Sequence, residues 1–320
     1  TSFVVEPFKN AKVSAGGMAE RTIDIAEFQV ERIPIFKEWG INGIVGFNYL
    51  KHVTLVFPGD QETPFWKESR NETSKGARFP LFETDSDFYA KLNLPGGKTI
   101  DVLIDTGFSG ALSLSSSLLK QLVRDRTAKY VETRHTESAS GITKRKNYIV
   151  KTVTFAGMRF DDVIVGESTR SHVGLGLLAS IRCTLDFPNK QILVDDSNLA
   201  NAIKLPIDAS GLGVRFVAGG TLSVKKIYPG YPASGSQIRE GHQILEINGR
   251  PVQRLTIQDI RQMLSVAGES VSLKMKANLS EYQMSLKLDR PYEYPPKWDP
   301  EDPNAAPRPF PNLDEPARSN

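Results

Sequence analysis

Two stretches of the chain share one pattern, and this internal repeat constrains the fold more than any other feature of the sequence. Residues 46–61 align without a gap with residues 176–191. The identical pairs are Gly46 and Gly176, Thr54 and Thr184, Leu55 and Leu185, Phe57 and Phe187, Pro58 and Pro188, and Gln61 and Gln191. Each copy is typical of a glycine turn, a short helical turn, a strand and a proline-containing hairpin turn. The repeat predicts a mainly β chain with two similar lobes, although a purely structural duplication has the same pattern.

The sequence before each copy extends the likeness and defines the domain boundaries. A glycine-centred hairpin precedes the first copy at residues 14–17 and the second copy at residues 138–141. The second unit is complete, whereas the first lacks its beginning. We therefore predict that residues 1–61 are the C-terminal part of a first lobe and that residues 79–200 are a second, complete lobe. The polar segment 62–78 between them is predicted to be a linker.

A carboxylate follows directly after an apolar strand in the second unit. The apolar run 102–104 leads into the tight turn Asp105-Thr106-Gly107. A buried carboxylate needs hydrogen bonds from neighbouring amides and hydroxyls, and Thr106 and the glycines of the turn can donate them. Two such turns that face each other bring two carboxylates close enough to share one proton. One carboxyl group then acts as acid and the other as base, so that the pair activates a water molecule.

These motifs resemble those of retropepsin-like aspartic proteases. Asp105-Thr106-Gly107 after a hydrophobic strand is similar to the active-site motif of the family. Residues 173–176 (Val-Gly-Leu-Gly) resemble its second signature, and residues 44–46 (Ile-Val-Gly) match that signature in the first unit. The resemblance implies acid-protease-like β-barrel lobes, hydrolysis of polypeptides by an aspartate-activated water without a cofactor, and catalytic roles for Asp105, Thr106 and Gly107. It also implies a bacterial protein in the periplasm or another extracytoplasmic compartment.

A substrate-covering flap is implied by the same resemblance. In the family this flap is a β-hairpin that lies over the active site and contacts the substrate. The corresponding residues in this chain are Ser138, Ala139, Ser140 and Gly141. The resemblance therefore implies that these four residues form the flap tip.

Two departures from the family pattern leave the activity open. Phe108 stands directly after the Asp-Thr-Gly motif, where the family has a small residue. Residues 1–61 contain no Asp-Thr-Gly or Asp-Ser-Gly, and the spacing places the matching aspartate upstream of Thr1. Because the chain begins without a methionine, we expect that an N-terminal segment has been removed. The partner aspartate is then in that segment, on the second chain of a homodimer, or absent, and in the last case the chain is a non-catalytic peptide-binding or scaffolding protein.

Other chemistries find little support in the sequence. Residues 107–110 (Gly-Phe-Ser-Gly) are close to a serine nucleophile elbow, but Ala111 occupies the place of the last glycine. The four histidines are scattered, and no metal-binding spacing or phosphate loop occurs, so neither a metal nor another cofactor is predicted. The net charge of +3 does not favour nucleic acid as a partner. We interpret the basic run 144–146 as a solvated turn.

Residues 211–216 (Gly-Leu-Gly-Val-Arg-Phe) open the region 205–290, and a strand-like run with a glycine turn follows at 238–252. This pattern resembles that of a bacterial PDZ domain. Asn248-Gly249 joins two strand-like runs and is a strong signal for a tight hairpin turn. Residues 256–264 are predicted to form a short helix whose first residue, a threonine, is a favourable N-cap. Two runs of alternating apolar residues within 271–288 predict the closing strands.

A PDZ domain binds peptides by strand addition. The peptide C-terminus lies between a strand and the helix, and backbone amides of a Gly-Leu-Gly loop bind its carboxylate. We place this loop at Gly211, Leu212 and Gly213, and the receiving strand begins at Val214. The expected ligands are peptide C-termini, although a PDZ fold that only packs against the protease lobe has the same pattern.

The remaining features concern the tail, the cysteine and the membrane. The tail 291–320 is rich in proline and charge and is predicted to be disordered or extended. The single cysteine, Cys183, lies in an apolar run and is predicted to be a small buried hydrophobic residue. No run of apolar residues is long enough to span a bilayer.

Overall fold

The computed structural model describes residues 6–14, 20–27, 44–59, 64–68, 76–138, 141–196, 199, 201–217 and 220–292. Its strands are β1 (Glu6–Val13), β2 (Arg21–Glu27), β3 (Val53–Phe57), β4 (Phe65–Glu68), β5 (Ala77–Pro80), β6 (Phe82–Glu83), β7 (Phe88–Leu94), β8 (Lys98–Asp105), β9 (Leu112–Ser115), β10 (Ala128–Ser138), β11 (Gly141–Phe155), β12 (Met158–Ser168), β13 (His172–Gly174), β14 (Cys183–Asp186), β15 (Gln191–Val194), β16 (Leu212–Val217), β17 (Thr221–Ile227), β18 (Gln243–Ile247), β19 (Arg250–Pro251), β20 (Ser270–Ala277) and β21 (Ser280–Lys287). Its helices are α1 (Phe47–Leu50), α2 (Ser116–Arg124), α3 (Leu175–Leu178) and α4 (Ile257–Met263). The fold is mainly β, as the sequence predicts.

An eight-stranded sheet closes into a barrel in the second predicted lobe. The strand order is β10-β11-β12-β9-β13-β8-β7-β6, and β11 also pairs with β7. The alternation of apolar residues along β7 places Leu92 and Leu94 in the core, because successive side chains of a strand point to opposite faces. Helix α2 covers part of the barrel through the buried residues Leu119 and Leu122. The structure thereby confirms the mainly β prediction for this region.

The two copies of the repeat meet in a five-stranded sheet with the order β4-β3-β14-β15-β5. Strand β3 of the first copy pairs antiparallel with β14 of the second, and the aligned residues Leu55 and Leu185 face each other. The flanking pairs are Thr54 with Asp186 and Val56 with Thr184. The pairing is therefore symmetric about the two leucines, and the repeat forms a local twofold arrangement.

The copies differ in the position of the short helix. The gapless alignment keeps β3 and β14 in register, but α1 begins after Gly46 and α3 begins after Gly174, which is two alignment positions earlier.

The segment predicted as a linker, 62–78, differs from the prediction. Strand β4 lies within it and pairs with β3, and its last residues belong to β5. The linker is therefore partly a component of the five-stranded sheet.

The C-terminal region forms a separate sheet with the order β16-β17-β18-β20-β21, and β19 pairs with β18. The predicted Asn248-Gly249 turn is present, with φ angles of 50° and 72°, which are the left-handed values of a type I′ hairpin turn. Helix α4 begins with a capping box. The Thr256 hydroxyl accepts a bond from the Asp259 amide, while the Asp259 carboxylate accepts one from the Thr256 amide.

Several smaller predictions can be compared with the described residues. Cys183 is buried, as predicted, and burial raises the pKa of its thiol. The hairpin tip at 15–17 and the tail from residue 293 lie outside the described residues. In the described part of the chain, no helix has the length and apolar character needed to cross a membrane.

Candidate active site and peptide cleft

The turn after β8 holds the Asp105 carboxylate in a defined position. The Gly107 amide donates a hydrogen bond of 2.9 Å to Asp105 Oδ1, and the Phe108 amide donates one of 3.2 Å to the Asp105 carbonyl oxygen. A Cβ on Gly107 would lie 3.3 Å from Asp105 Oδ1, so a larger residue would crowd the carboxylate. Asp105 and Thr106 are half-buried, and the carboxylate is less enclosed than the apolar strand before it predicts. The turn therefore presents a bonded but accessible carboxylate.

Two glycines of the second signature pack behind this turn. The amide of Gly174 donates to the Ala111 carbonyl at 3.0 Å, and the amide of Gly176 donates to the Gly110 carbonyl at 3.0 Å. A Cβ on Gly174 would lie 2.4 Å from the Phe108 carbonyl oxygen, and one on Gly176 would lie 2.8 Å from the Ala111 nitrogen. Only glycine allows the two backbones to approach so closely. Strand β13 itself lies between β8, to which it is parallel, and β9, to which it is antiparallel.

Phe108 is the centre of a stack beside the Asp105 turn. Its ring meets the His172 ring edge to face, with 4.6 Å between the centroids, and the Arg145 guanidinium lies 5.0 Å from its centroid. Burial lowers the pKa of His172, Asp105 partly opposes this by raising it, and Arg145 lowers it further. The His172 ring is therefore mainly neutral at neutral pH. Within the described residues no serine hydroxyl is hydrogen-bonded to a histidine ring.

The hairpin predicted as the flap is present as β10 and β11. These strands pair antiparallel from Ala128 opposite Val150 to Ser138 opposite Gly141. Ala139 and Ser140 of the predicted tip lie outside the described residues. The position of the hairpin agrees with the sequence prediction, while its role as a flap stays a prediction.

Arg134 connects the hairpin strand β10 to the C-terminal domain. Its Nη2 donates to Asp208 Oδ2 at 3.2 Å and to the Tyr231 hydroxyl at 2.7 Å, and its Nε lies 2.7 Å from Glu132 Oε1. The guanidinium also lies over the Tyr228 ring, 4.4 Å from the centroid. Burial lowers the pKa of Arg134, but Glu132 and Asp208 raise it by more, so this guanidinium remains charged. A largely buried ion-pair network thus holds the hairpin on the C-terminal domain.

The predicted carboxylate-binding loop is held by side chains within the chain. Asp208 Oδ1 accepts a bond of 3.0 Å from the Ser210 amide, and Asp208 Oδ2 accepts one of 3.1 Å from the Gly211 amide. The Leu212 amide donates to Ser210 Oγ at 3.0 Å. Gly211 has a φ of 75°, a left-handed value that favours glycine. The amides of Gly211 and Leu212, both predicted as ligand-binding, are therefore already bonded within the chain.

A cleft of about 960 Å³ separates the barrel from the C-terminal domain. One wall consists of the segment 108–112 and parts of β10, β11 and β12. The other consists of the predicted loop at Leu212 and Gly213, strand β16 and helix α4. The structure thus brings the predicted peptide groove and the residues after the Asp105 turn to one cleft, although Asp105 itself is not part of its lining.

Sequence reasoning missed the residues that join the two walls. Arg261 on α4 donates from Nη2 to the Ser109 carbonyl oxygen at 3.3 Å, and Arg134 bonds Asp208 as described above. The basic run 144–146, interpreted as a solvated turn, lies on β11, and its central residue Arg145 covers Phe108. Nothing in the local sequence marks these arginines, because their partners are far away along the chain.

The C-terminal region matches a known family. Residues 203–276 match the family model described as PDZ domain, which confirms the predicted PDZ domain at the C-terminus. No curated protein matches the chain.

Similar solved structures include PDZ-containing proteins, but the likeness is low. A PDZ domain protein from Parabacteroides distasonis is 28% identical, covers 26% of this chain and has a TM-score of 0.24; the match spans only 20% of that protein. A serine endoprotease from Yersinia pestis is 12% identical over 77% of this chain and 99% of its own, with a TM-score of 0.25. The HtrA-type protease AlgW, solved with a tripeptide, is 11% identical over 74% of this chain and 92% of its own, with a TM-score of 0.24. At these TM-scores the likeness of the whole chain carries no argument about its activity.

Proposed function

We propose that this chain is part of an aspartic-type endopeptidase of retropepsin-like architecture whose PDZ domain binds polypeptide C-termini. The observation that carries the proposal is the packing of the Asp105 turn on the paired glycines of the repeated unit. Asp105 lies beside Gly174 in the pairing of β8 with β13, and the segment 108–111 after the Asp-Thr-Gly turn packs on Gly174 and Gly176. The hairpin of β10 and β11 belongs to the same barrel. The family's signature motifs, recognised separately in the sequence, therefore occur together in space.

In this mechanism Asp105 is one of two carboxyl groups that share a proton. The Gly107 amide bonds Oδ1 and fixes the orientation of the carboxylate, while Oδ2 is available to polarise a water molecule. A second carboxylate close by would hold the shared proton, because two like charges at hydrogen-bond distance do not ionise together. The unprotonated carboxylate takes a proton from the water as its oxygen attacks the peptide carbonyl carbon. The protonated carboxyl group then donates its proton to the nitrogen as the C–N bond breaks, so that one of the two groups is again protonated.

The second carboxylate would be carried by a turn seated on the first copy of the repeat. Ile44 and Val45 are 61% and 39% exposed, and no described atom lies within 4 Å of a Cβ built on Gly46. This is the surface that corresponds to the one on which the Asp105 turn rests in the second copy. The proposal requires an aspartate-bearing turn here, either from a longer form of the protein or from a second chain.

Peptide binding by the PDZ domain would use the edge strand β16. This strand has a described partner, β17, on one side and is the first of its sheet, and the cleft opens between it and α4. A peptide could add to the edge by main-chain hydrogen bonds. Because the amides of Gly211 and Leu212 are already bonded, the carboxylate would use the amides that follow, at Gly213 and Val214.

Proteolysis of an unfolded protein between about pH 3 and pH 7 tests the catalytic part of the proposal, since this range covers the titration of a shared carboxyl pair. We expect cleavage that Asp105→Asn reduces about a thousandfold or more, because the amide cannot act as acid or base. Asp101→Asn is the matched control, since Asp101 lies on the same strand, is exposed and pairs only with Lys91 at 2.7 Å. It should leave the rate unchanged.

The outcome also locates the second carboxylate. Cleavage by this chain that is lost in Asp105→Asn means that the partner turn comes from a second copy. If this chain is inactive, the same comparison is made in a form extended upstream of Thr1. Equal cleavage by the extended protein and its Asp105→Asn variant, or no cleavage by either, would refute the aspartic mechanism.

A second candidate function is peptide binding without catalysis. The stack of Arg145 and His172 on Phe108 favours it, because Phe108 occupies the position after the Asp-Thr-Gly motif with a large ring that fills space beside the turn. In that case the PDZ domain would bind peptides with unchanged affinity in Asp105→Asn, and neither form of the chain would cleave them.

A further inference from the structure

Two arginines that line the cleft are partly buried and have no carboxylate partner among the described residues. The Arg145 guanidinium packs on the Phe108 ring, and Arg261 donates to the Ser109 carbonyl oxygen. Neither forms an ion pair with any carboxylate of the described residues. Burial lowers the pKa of both groups, and no nearby acid opposes it. Charges that are removed from water are usually paired, and these two arginines have no compensating negative charge among the described residues.

Arg134 in the same cleft provides an internal control. It is also partly buried, but Glu132 and Asp208 raise its pKa despite that burial. These are also the acidic residues of the cleft lining, and both are already bonded to Arg134 and to groups around it. The cleft therefore neutralises one of its buried arginines and leaves Arg145 and Arg261 for a ligand.

The chain around Arg145 is shaped to keep its side chain in this position. A Cβ on Gly166 of β12 would lie 2.5 Å from Arg145 Cδ, so the stem of the arginine crosses the strand where there is no side chain. The guanidinium then reaches Phe108 at the mouth of the cleft, while Arg261 enters from α4 on the other wall. The two charges are thus presented to the same space from the barrel and from the PDZ domain.

We propose that the polypeptide bound in this cleft carries acidic side chains upstream of its C-terminal residue, and that Arg145 and Arg261 bind their carboxylates. This inference rests on the proposed binding of peptide C-termini by the PDZ domain and names the chemical class of the ligand. A guanidinium binds a carboxylate with two parallel hydrogen bonds, which makes arginine selective for such groups. The substrate of the chain would then be polypeptides with an acidic segment close to the C-terminus.

Fluorescence anisotropy with labelled ten-residue peptides tests this inference on the full chain. One peptide carries glutamate at the positions upstream of an apolar C-terminal residue, and its match carries glutamine at the same positions. We expect the acidic peptide to bind about tenfold more tightly, as one or two charge-assisted hydrogen bonds predict. The difference should shrink as salt is raised, since partly exposed ion pairs are screened.

Variants of the two arginines identify the residues responsible. Arg145→Gln and Arg261→Gln should each remove most of the preference, and Arg145→Lys should retain part of it while keeping the charge. Arg159→Gln is the control, because Arg159 is exposed on β12, pairs with Asp161 and is not part of the cleft. Thermal unfolding of each variant establishes that it is folded.

A peptide with an amidated C-terminus tests the proposed recognition of C-termini independently of the preference for acidic side chains. If amidation abolishes binding but acidic and neutral peptides bind equally, the PDZ function stands and the acidic preference is refuted. A preference that survives both arginine substitutions refutes it as well. If amidated and free peptides bind equally, or no peptide binds, the proposed recognition of C-termini fails together with the inference.

Discussion

The two copies of the repeat share a strand but differ in their surroundings. Beside the second copy, the backbone of residues 108–111 packs closely against two glycines. A Cβ on Gly174 would lie 2.4 Å from this backbone, and a Cβ on Gly176 would lie 2.8 Å from it. In the first copy a Cβ on Gly46 would meet no described atom within 4 Å, and Ile44 is largely exposed. Among the described residues, the same signature is thus closely packed in the second copy and uncovered in the first.

This difference indicates the steric reason for glycine at these positions. They are needed where a second backbone, here the turn that carries Asp105, approaches the start of the helix. Where no such turn is described, the same glycine has no steric reason to be glycine. At the first copy, the described residues include the signature but no turn that faces it.

The largest expected effect comes from placing a side chain on the equivalent helix N-caps. Gly174 and Gly46 both precede a short helix and both have negative φ angles that other residues can adopt. Gly174→Val should lower the free energy of unfolding by about 4 kcal/mol or prevent folding, because the side chain would overlap the Phe108 and Gly110 carbonyl oxygens. Gly46→Val should change it by about 1 kcal/mol or less.

Urea unfolding monitored by circular dichroism measures both values. Equal losses in the two variants would mean that the first copy is packed as tightly as the second, and the contrast between the copies would be wrong. An extended form of the protein provides the sharper comparison. If a turn seats on Gly46 there, Gly46→Val should become as damaging as Gly174→Val.

A smaller effect on stability is expected at the Arg134 ion pairs, which connect the hairpin of β10 and β11 to the PDZ domain. Arg134→Leu leaves the carboxylates of Glu132 and Asp208 without their partner, and breaking a buried ion pair from one side lowers the free energy of unfolding by about 3 kcal/mol. The hairpin of β10 and β11 should then exchange its amide hydrogens faster. Lys91→Ala, which breaks the exposed pair with Asp101, should change stability by about 0.5 kcal/mol or less.

Hydrogen exchange followed by mass spectrometry reports on the hairpin directly. Protection of β10 and β11 that is the same in Arg134→Leu and in the unchanged protein would show that the network does not hold the hairpin. The hairpin of β1 and β2 in the first lobe is the internal reference, and its exchange should not change.

The smallest expected effect is on the pH dependence of the free energy of unfolding, to which His172 and His52 contribute. Burial lowers the pKa of His172, and burial together with Arg21 and Lys51 lowers that of His52. Because the folded pKa lies below the ordinary value of 6.5, the unfolded chain binds the proton first as the pH falls. The contribution of each histidine to the free energy of unfolding is therefore fully present above about pH 6.5. It decreases as the pH falls below this value, until the pH passes the pKa of the folded state.

Urea unfolding between pH 8 and pH 5 measures this decline in the unchanged protein, in His172→Gln and in His52→Gln. His172→Gln should flatten the dependence more, since His172 is the more deeply buried ring. An unchanged slope in His172→Gln would show that this ring does not titrate differently in the folded and unfolded states.

Much of the fold follows from local patterns. The repeat predicted a strand in each copy, although not that Leu55 and Leu185 would pair, and the Asn248-Gly249 turn and the cap at Thr256 appear where propensity places them. The linker prediction differed because an apolar pair at Phe65 and Trp66 is too short to be recognised as a strand before its partner β3 is known. Such a strand is stabilised by its neighbour and not by its own sequence.

The sequence by itself determined the mainly β character, the turn at Asp105 and the PDZ domain, because these depend on residues that are close along the chain. Only the tertiary structure decided which charges meet. Arg134 and Asp208 are 74 residues apart, and Arg261 and the Ser109 carbonyl are 152 residues apart. Whether an arginine is solvated, paired or left for a ligand depends on its burial and on the groups packed around it, and neither is encoded in its immediate neighbours.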